Sequence, residues 1–408
     1  MSYQLVRHLI IVADDLTGAA DSAARAFDAG LPATIYLRPV PAAWPPGVVA
    51  FSSDSRFLPP GEAAEQVRTL VAALRAPPAT WYKKIDSTLR GNIGAELDAM
   101  LGALARPDHP TVAVVCPAFP AQRRGLADGM LILSGQQEPL LYLPALITRE
   151  TARPVALLPL EIVEKGTGAL AAAMRAAAGQ GAQILVVDAL SDDDLATLLA
   201  ATQRVLPHAL LCGSAGLVAP LARSLIAQEG FAPATTHPPP LPMRPPLLAV
   251  VGSGSTMAHR QIDALRGQNN LSLIEVDQDQ SAPVGLEPTS KRGVIVHLPK
   301  PAAGTILEGE RARSLAAALA DTAARLAEVL QPGLIVLVGG DTAVHTLERL
   351  DIHQLTVRAE VMPGIPLLTG VTSGGEKYNL ITKAGSFGDE VTLVRIIDLL
   401  GENTVSGR

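Results

Sequence analysis

Two adjacent carboxylates follow the first apolar stretch of the chain. Residues 8–13 predict a buried strand, Asp14 and Asp15 come directly after it, and Asp21 lies one turn into the predicted helix that follows. Neighbouring carboxylates at a strand end can accept hydrogen bonds from a polyol, hold Mg²⁺ or accept a proton. Helix capping explains one such carboxylate but not two in succession. The pair therefore indicates a binding or catalytic site.

A denser polar stretch spans residues 82–92, where a predicted strand leads into a helix. Alternation along that strand puts Lys84 and Asp86 on one face, and Ser87 follows them. The free N–H groups and the dipole at the start of the helix favour an anion by about 0.3–1 kcal/mol. Arg56, which follows a predicted strand at 48–51, offers a planar fork for a carboxylate or phosphate. These residues predict a site for an anionic ligand that carries hydroxyl groups.

Three glycine-rich loops follow predicted strands in the second half of the chain. They are GSGST at 252–256, GGDTA at 339–343 and AGSFGDE at 384–390. The backbone of such a loop can approach a phosphate closely, and Asp341 could position Mg²⁺ or a hydroxyl. The sequence contains no G-x-G-x-x-G dinucleotide fingerprint and no Gly-Lys-Ser/Thr triplet. The three loops together favour the phosphates and ribose of a nucleotide.

Apolar runs of strand length alternate with Ala/Leu-rich runs of helix length, as in parallel sheets covered by helices. The predicted strands are 8–13, 33–37, 48–51, 80–85, 111–115, 154–158, 184–188, 209–212, 247–251, 293–298, 334–338 and 380–383. The predicted helices are 19–29, 61–75, 92–104, 168–178, 191–202, 215–228, 256–266, 309–330 and 390–400. A proline-rich segment at 231–246 can form neither element.

This pattern predicts an α/β protein of two domains, each with a mostly parallel sheet flanked by helices and with an active-site cleft between the domains. We expect the N-terminal domain at 1–230, a linker at 231–246 and the C-terminal domain at 247–408. Ligands of such sheets sit outside the carboxyl ends of the strands, where the candidate residues lie.

Composition narrows the partners of the protein. Hydrophobic residues make up 48% of the 408 residues, which suits large buried cores, whereas 3% aromatic residues and a net charge of −6 do not suit nucleic acid. No apolar stretch approaches the roughly 20 residues of a membrane span, and the N-terminus does not resemble a signal peptide. We expect a cytoplasmic protein that binds small molecules; association into a homo-oligomer stays open.

Seven motifs, in this order, resemble those of the four-carbon acid sugar kinase family across nearly the whole chain: ADDLTGAAD, SSDSR, KKIDSTLRGNIGAELDA, CPAFPAQRRG, VVGSGS, GGDTA and TKAGSFGDE. The resemblance implies an N-terminal domain that binds the acid sugar and a C-terminal domain that binds ATP. The implied reaction is phosphorylation of the terminal hydroxyl of threonate, erythronate or 3-oxo-tetronate. The KKIDSTLRGN motif is similar to that of threonate or erythronate kinases, and we favour D-threonate.

The resemblance also assigns residues. It places the acid sugar on Asp15, Arg56, Lys84, Ile85, Asp86 and Ser87, to which the strand-end pattern adds Asp14. It places ATP on Ser253, Gly339, Gly340, Asp341, Thr342 and Gly385. Arg123 departs from the glycine usual in the CPAF motif, so no role is carried over to it.

We expect Arg56 and Lys84 to hold the carboxylate of the sugar, and Asp15 and Asp86 to accept hydrogen bonds from its hydroxyls. Asp15 is the expected acceptor of the proton from the 4-hydroxyl. ATP is expected to arrive with Mg²⁺, whose protein ligands the sequence leaves unknown. Two other functions stay open at this point, an NAD-dependent oxidoreductase and a non-catalytic sensor of sugar acids.

Overall fold

Two units make up the protein, Met1–Thr235 and Thr236–Arg408. The structure is a computed structural model that describes residues 8–38, 44–74, 79–105, 112–133, 141–229, 243–267, 270–277, 292–300 and 309–399. Most of the predicted linker, at 231–242, lies outside the described residues. The predicted domain boundaries therefore stay a prediction.

The first unit contains a parallel sheet with strand order β2-β3-β1-β4-β10-β5-β9-β8. Its strands are β1 (His8–Ala13), β2 (Ala33–Tyr36), β3 (Val48–Ser52), β4 (Ala79–Lys84), β5 (Ala113–Cys116), β8 (Val155–Leu158), β9 (Ile184–Val187) and β10 (Leu210–Gly213). A separate antiparallel hairpin is formed by β6 (Arg124–Ala127) and β7 (Met130–Leu133). The sequence predicts every strand of the parallel sheet, and these predictions are confirmed.

The helices of this unit are α1 (Leu16–Asp28), α2 (Pro60–Leu74), α3 (Ile93–Ala103), α4 (Leu143–Thr148), α5 (Leu160–Val163), α6 (Thr167–Gly179), α7 (Asp192–Val205) and α8 (Val218–Glu229). Helices α2 and α3 pack on the sheet face that presents Ile10 and Val12, while α1 packs against α8. Every residue of β1 is buried, as expected of a central strand with both faces covered.

The second unit contains a sheet of order β12-β13-β11-β14-β17-β16-β15, parallel except where β16 pairs with its two neighbours. Its strands are β11 (Leu247–Val251), β12 (Leu271–Glu275), β13 (Gly293–His297), β14 (Leu334–Val338), β15 (Ile352–Met362), β16 (Ile365–Thr372) and β17 (Lys377–Lys383). Its helices are α9 (Thr256–Leu265), α10 (Gly309–Leu330), α11 (Gly340–Arg349) and α12 (Thr392–Asp398). Helices α9 and α12 share a core with the sheet, and α10 packs against α11.

The sequence analysis misses the antiparallel strands β6, β7, β15 and β16, the parallel strand β12 and the helices α4, α5 and α11. It predicts no strand between residues 116 and 153, whereas β6 and β7 lie there and are joined by Asp128 and Gly129, both with positive φ. Pro363 and Gly364 join β15 to β16 in the same direct way. Asp-Gly between strand-forming runs is a strong hairpin signal, and Pro-Gly marks a turn, so both hairpins had a local signature.

Candidate active site

The predicted acid-sugar residues meet at the carboxyl ends of β3, β1 and β4, which are adjacent and parallel in the sheet. The chain leaves β1 toward β2 and β3 on one side and later reaches β4 on the other. Such a reversal leaves a crevice at the strand ends, where ligands of open α/β sheets bind. Three loops of the first unit are thereby brought to one place.

Arg56 joins the first two of these loops. Its Nε and Nη2 donate to the two oxygens of Asp14 at 2.7 and 2.9 Å, and its Nη1 and Nη2 donate to those of Asp15 at 2.7 Å each. The Arg56 side chain is 8% exposed, so this pairing is shielded from water. The planar fork therefore holds two carboxylates that would otherwise repel each other.

Asp15 is also the N-cap of α1. One oxygen accepts from the amide of Gly18 at 2.8 Å, and the other accepts from the hydroxyl of Thr17 at 2.5 Å. Together with the two bonds from Arg56, each oxygen of Asp15 already accepts two hydrogen bonds. Both explanations of the acidic pair therefore apply to this residue, since it caps the helix and belongs to the charged cluster. Asp15 has little capacity left for the proton of a substrate hydroxyl.

Asp86 has acceptor capacity to spare. Its Oδ2 accepts from the side chains of Thr88 and Arg90, whereas among the described residues Oδ1 accepts only from Arg90, at 3.1 Å, and lies 4.0 Å from Arg56. Burial opposes ionisation, but the hydrogen bond from Arg90 and the charge of Arg56 hold the pKa of Asp86 well below its usual range. Asp86 is therefore a buried, charged acceptor, and its Oδ1 can accept a further hydrogen bond.

Lys84 contributes a cation whose donors are not used by the described residues. Its side chain is buried, and a Cβ placed at Gly18 would lie 3.0 Å from the Lys84 ammonium and 2.8 Å from Asp15. Gly18 thus makes room for Lys84 beside the acidic pair. The charges of Arg56, Lys83 and Lys84 hold the pKa of Asp14 below its usual value, although burial alone would raise it.

Two predicted residues contribute differently. The side chain of Ile85 lies in the apolar core, which leaves its backbone to the site. Ser87 is buried and accepts a hydrogen bond from Arg124, the first residue of β6. Arg123 is exposed in a left-handed conformation, so the two arginines of the CPAF motif separate, and Arg124 joins the site.

A buried ion pair beneath the acidic residues is absent from the sequence-based site. Lys83, with no exposed surface, lies 2.6 Å from Glu96 of α3, and Glu96 also accepts from Ser55 at 2.8 Å. Burial and the nearby charge of Asp14 raise the pKa of Glu96, although Lys83 opposes them. The charges of Glu96 and Asp14 raise the pKa of Lys83, although its burial alone would lower it. Alternation along β4 puts Lys83 opposite Lys84, but only the packing of α3 shows which acid it meets.

The predicted nucleotide residues converge in the second unit, at the carboxyl ends of the adjacent parallel strands β11, β14 and β17. The amide of Gly339 donates to the backbone carbonyl oxygen of Lys383 at 3.0 Å. A Cβ at Gly385 would lie 1.8 Å from the hydroxyl of Ser253. A Cβ at Gly252 would lie 1.8 Å from the hydroxyl of Thr342. Real Cβ atoms do not approach so closely, so the three loops interlock only because these positions are glycines.

The interlocked loops form a backbone cradle of the kind that binds phosphate. Gly339 has a φ of 108°, and Gly340 begins α11, whose first turn contains Asp341. Among the described residues, no group of three or more His, Cys, Asp or Glu side chains is placed to hold a metal ion. A magnesium ion that arrives on a nucleotide often needs only one or two carboxylates, and Asp341 fits that requirement.

Both halves of the chain match known domains. Residues 9–221 match a sugar-binding N-terminal domain, and residues 248–393 match a nucleotide-binding C-terminal domain. The D-threonate kinase of Cupriavidus necator is 34% identical over 94% of this chain and 96% of its own. The 3-oxo-tetronate kinase of Brucella melitensis is 27% identical over 93% of both chains.

The fold is shared with a solved structure. A crystal structure of a Salmonella typhimurium LT2 protein, 24% identical in sequence, superposes with a TM-score of 0.74 over 95% of this chain and 98% of that protein. Within the described residues, no helix combines the length and the apolar character that crossing a membrane requires.

Replacement of Lys83 by Met is expected to lower the free energy of unfolding by about 3–5 kcal/mol, because Glu96 is left buried without its cation. The double variant Lys83→Met/Glu96→Gln should recover a large part of that loss, since no uncompensated charge then remains. Urea denaturation of the wild type, both single variants and the double variant measures the coupling. Losses that simply add would refute the pairing.

Proposed function

We propose that D-threonate is the substrate of this chain, which belongs to the four-carbon acid sugar kinase family and is a sugar-acid kinase. The relatives act on several four-carbon acids, so the choice of D-threonate is the proposal. Its support is the 34% identity to a D-threonate kinase and the KKIDSTLRGN motif. A 3-oxo-tetronate or D-erythronate substrate is the alternative.

The observation that carries the proposal is the joining of Asp14 and Asp15 by Arg56 beside the ammonium of Lys84, which donates to none of the described residues. We assign the carboxylate of the sugar to Lys84, with Arg56 contributing its remaining N–H group. A compact cation with three donors suits a carboxylate, while the acids of the cluster suit hydroxyl groups. The cluster thus matches the two functional groups of a sugar acid.

We assign the attacking hydroxyl to Asp86 rather than to Asp15. The sequence favours Asp15, but its oxygens are occupied by the helix cap and by Arg56, whereas Oδ1 of Asp86 has a free acceptor direction. A carboxylate with a low pKa is a weak base, so Asp86 would act chiefly by orienting the hydroxyl. Phosphoryl transfer depends mostly on such positioning and on neutralising charge.

ATP would lie on the glycine cradle of the second unit, its phosphates approached by the backbone near Ser253, Gly340 and Gly385. Asp341 and Thr342, in the first turn of α11, would face the magnesium ion and the ribose or phosphates. Bound Mg²⁺ neutralises charge on the transferred phosphoryl group. The cradle contributes donors that are fixed before ATP binds, so they need no reorganisation during transfer.

The function is tested by ATP consumption with D-threonate, L-threonate, D-erythronate and 3-oxo-tetronate, followed by location of the phosphate on the product. We expect the highest kcat/KM with D-threonate and the phosphate on C4. A higher kcat/KM with another of these acids would make that acid the substrate in place of D-threonate, and the protein would still be a kinase. Product phosphorylated at another carbon would overturn the placement of the terminal hydroxyl at Asp86.

Arg56→Ala is expected to raise the KM for the sugar acid by at least about tenfold, because Asp14 and Asp15 lose their charge-assisted hydrogen bonds and repel an acid. The KM for ATP should change by less than about twofold, since the cradle lies in the other unit. Steady-state kinetics with each substrate varied separately measures both values. Arg68→Ala, which removes an exposed arginine of α2, is the matched control. An unchanged KM for the sugar acid would refute the assignment.

Gly385→Ala should show the opposite pattern, with the KM for ATP raised by about tenfold and that for the sugar acid unchanged. The added Cβ would meet Ser253 and push the loop out of the cradle. The control is Gly374→Ala, where the nearest atom would lie 3.6 Å away. Steady-state kinetics with each substrate varied separately measures both KM values. Equal effects of the two variants on the KM for ATP would argue against binding of ATP at the cradle.

A further inference from the structure

Lys383 is a buried cation without an acidic partner. It ends β17 with no exposed surface, and among the described residues no carboxylate forms an ion pair with it. Its ammonium donates instead to the carbonyl oxygens of Ala384 at 2.9 Å, Gly385 at 3.4 Å and Phe387 at 2.9 Å. Burying an ammonium without a counter-ion is costly, so the position needs an explanation other than stability.

A second side chain holds the same loop. Gln261 of α9 is fully buried, and its amide donates to the carbonyl oxygens of Phe387 at 3.1 Å and Asp389 at 2.7 Å. Lys383 and Gln261 therefore pull several carbonyls of the loop 384–389 toward the interior. This loop contains Gly385, which packs against Ser253 in the glycine cradle.

The direction of these carbonyls fixes the direction of the amides. In a trans peptide the C=O of one residue and the N–H of the next point opposite ways. The amides of Gly385, Ser386 and Gly388 therefore point away from the Lys383 ammonium, and none of them donates to the backbone of another described residue. Gly385 is half-buried, while Ser386 and Gly388 are exposed. The loop thus presents three amide donors outward, with a positive charge behind them.

We infer that Lys383 is a positioning residue for the nucleotide: it turns the carbonyls of loop 384–388 inward, so that the amides of Gly385, Ser386 and Gly388 bind the phosphates, whose negative charge across the loop favours the charged form of Lys383. This inference rests on the proposed binding of ATP at the cradle. It adds to that proposal a residue outside the cradle and a link between nucleotide binding and protonation.

The link follows from the burial of Lys383, which lowers its pKa to about 7. At pH 8 the side chain is mostly neutral in the free protein. A bound polyanion favours the charged form and raises the pKa again. Nucleotide binding at pH 8 therefore takes up a proton, and affinity decreases as the pH rises above 7.

Two histidines, His259 of α9 and His345 of α11, also lie on elements near Lys383, and proton uptake by either of them would persist in a Lys383→Met variant. The titratable side chains on the elements around it are His259, Arg260 and Asp263 of α9, Asp341, His345, Glu348 and Arg349 of α11, Asp389 and Glu390 of the loop, and Arg395 and Asp398 of α12. The neighbouring strands β14 and β16 contribute none. Carboxylates and guanidinium groups keep their charge between pH 7 and 9, and burial lowers the pKa of His259, which is then neutral in that range.

The test is isothermal titration of the full chain with MgADP at pH 8, in two buffers of different ionisation enthalpy. We expect uptake of about 0.5–1 proton per ADP bound, because Lys383 changes from mostly neutral to charged. Lys383→Met should abolish the uptake and raise the Kd measured at pH 7 by about tenfold. Gln261→Met, which removes donors to the same loop but no titratable group, should raise the Kd and keep the uptake.

Absence of proton uptake in the wild type would overturn the inference, and this outcome does not depend on any variant folding. Uptake that persists in a folded Lys383→Met protein would overturn it as well. A wild type that binds no MgADP would refute the inference together with the nucleotide site on which it rests. If MgADP binds with proton uptake but none of the sugar acids is phosphorylated, the inference stands and the proposed substrate fails.

Discussion

The first unit depends on one electrostatic constraint, that several carboxylates lie buried together at the ends of three adjacent strands. Such a cluster is stable only if cations are buried with it. Arg56 meets this requirement by binding Asp14 and Asp15 at once. Lys83 meets it by forming a buried ion pair with Glu96. Arg56 lies in the loop after β3, and Asp14 and Asp15 lie in the loop after β1. The pairing that neutralises these acids therefore also fixes the two loops relative to each other.

The candidate site of the second unit is built from backbone groups instead of charged side chains. Its three loops approach one another so closely that Gly252 and Gly385 have no room for a side chain. A polyanion can then reach main-chain amides, which are donors without a charge of their own. Lys383 is the exception. Its ammonium donates to carbonyl oxygens of the loop 384–388 from the interior, and it acts on the nucleotide site by fixing the direction of those carbonyls. The two units therefore suit different ligands, a hydroxylated acid in one and a polyphosphate in the other.

Most of the fold followed from periodicity, and the errors have particular causes. Most of the parallel strands in the two sheets are continuous apolar runs, so their positions are visible in the sequence, whereas the more polar β12 is not predicted. The hairpins at 124–133 and 352–372 alternate less clearly, and their turn signals at Asp128 and Pro363 are short. In the site, Arg56 is recognisable from its place after a strand and Lys84 from its place at the end of one, but the partners of a buried charge come from distant segments. Glu96 of α3 and Arg124 of β6 are examples.

The sequence by itself therefore determined the fold class, the family and the strand ends at which we place the chemistry, because local patterns and motifs record these properties directly. Tertiary structure decided how the charges are paired. It gave Asp15 to the helix cap and to Arg56, left acceptor capacity on an oxygen of Asp86, and buried Lys383 where no acid of the described residues pairs with it. The physical reason is that a side chain's pKa and its free hydrogen-bonding capacity depend on neighbours brought together by folding, and no stretch of sequence contains those neighbours.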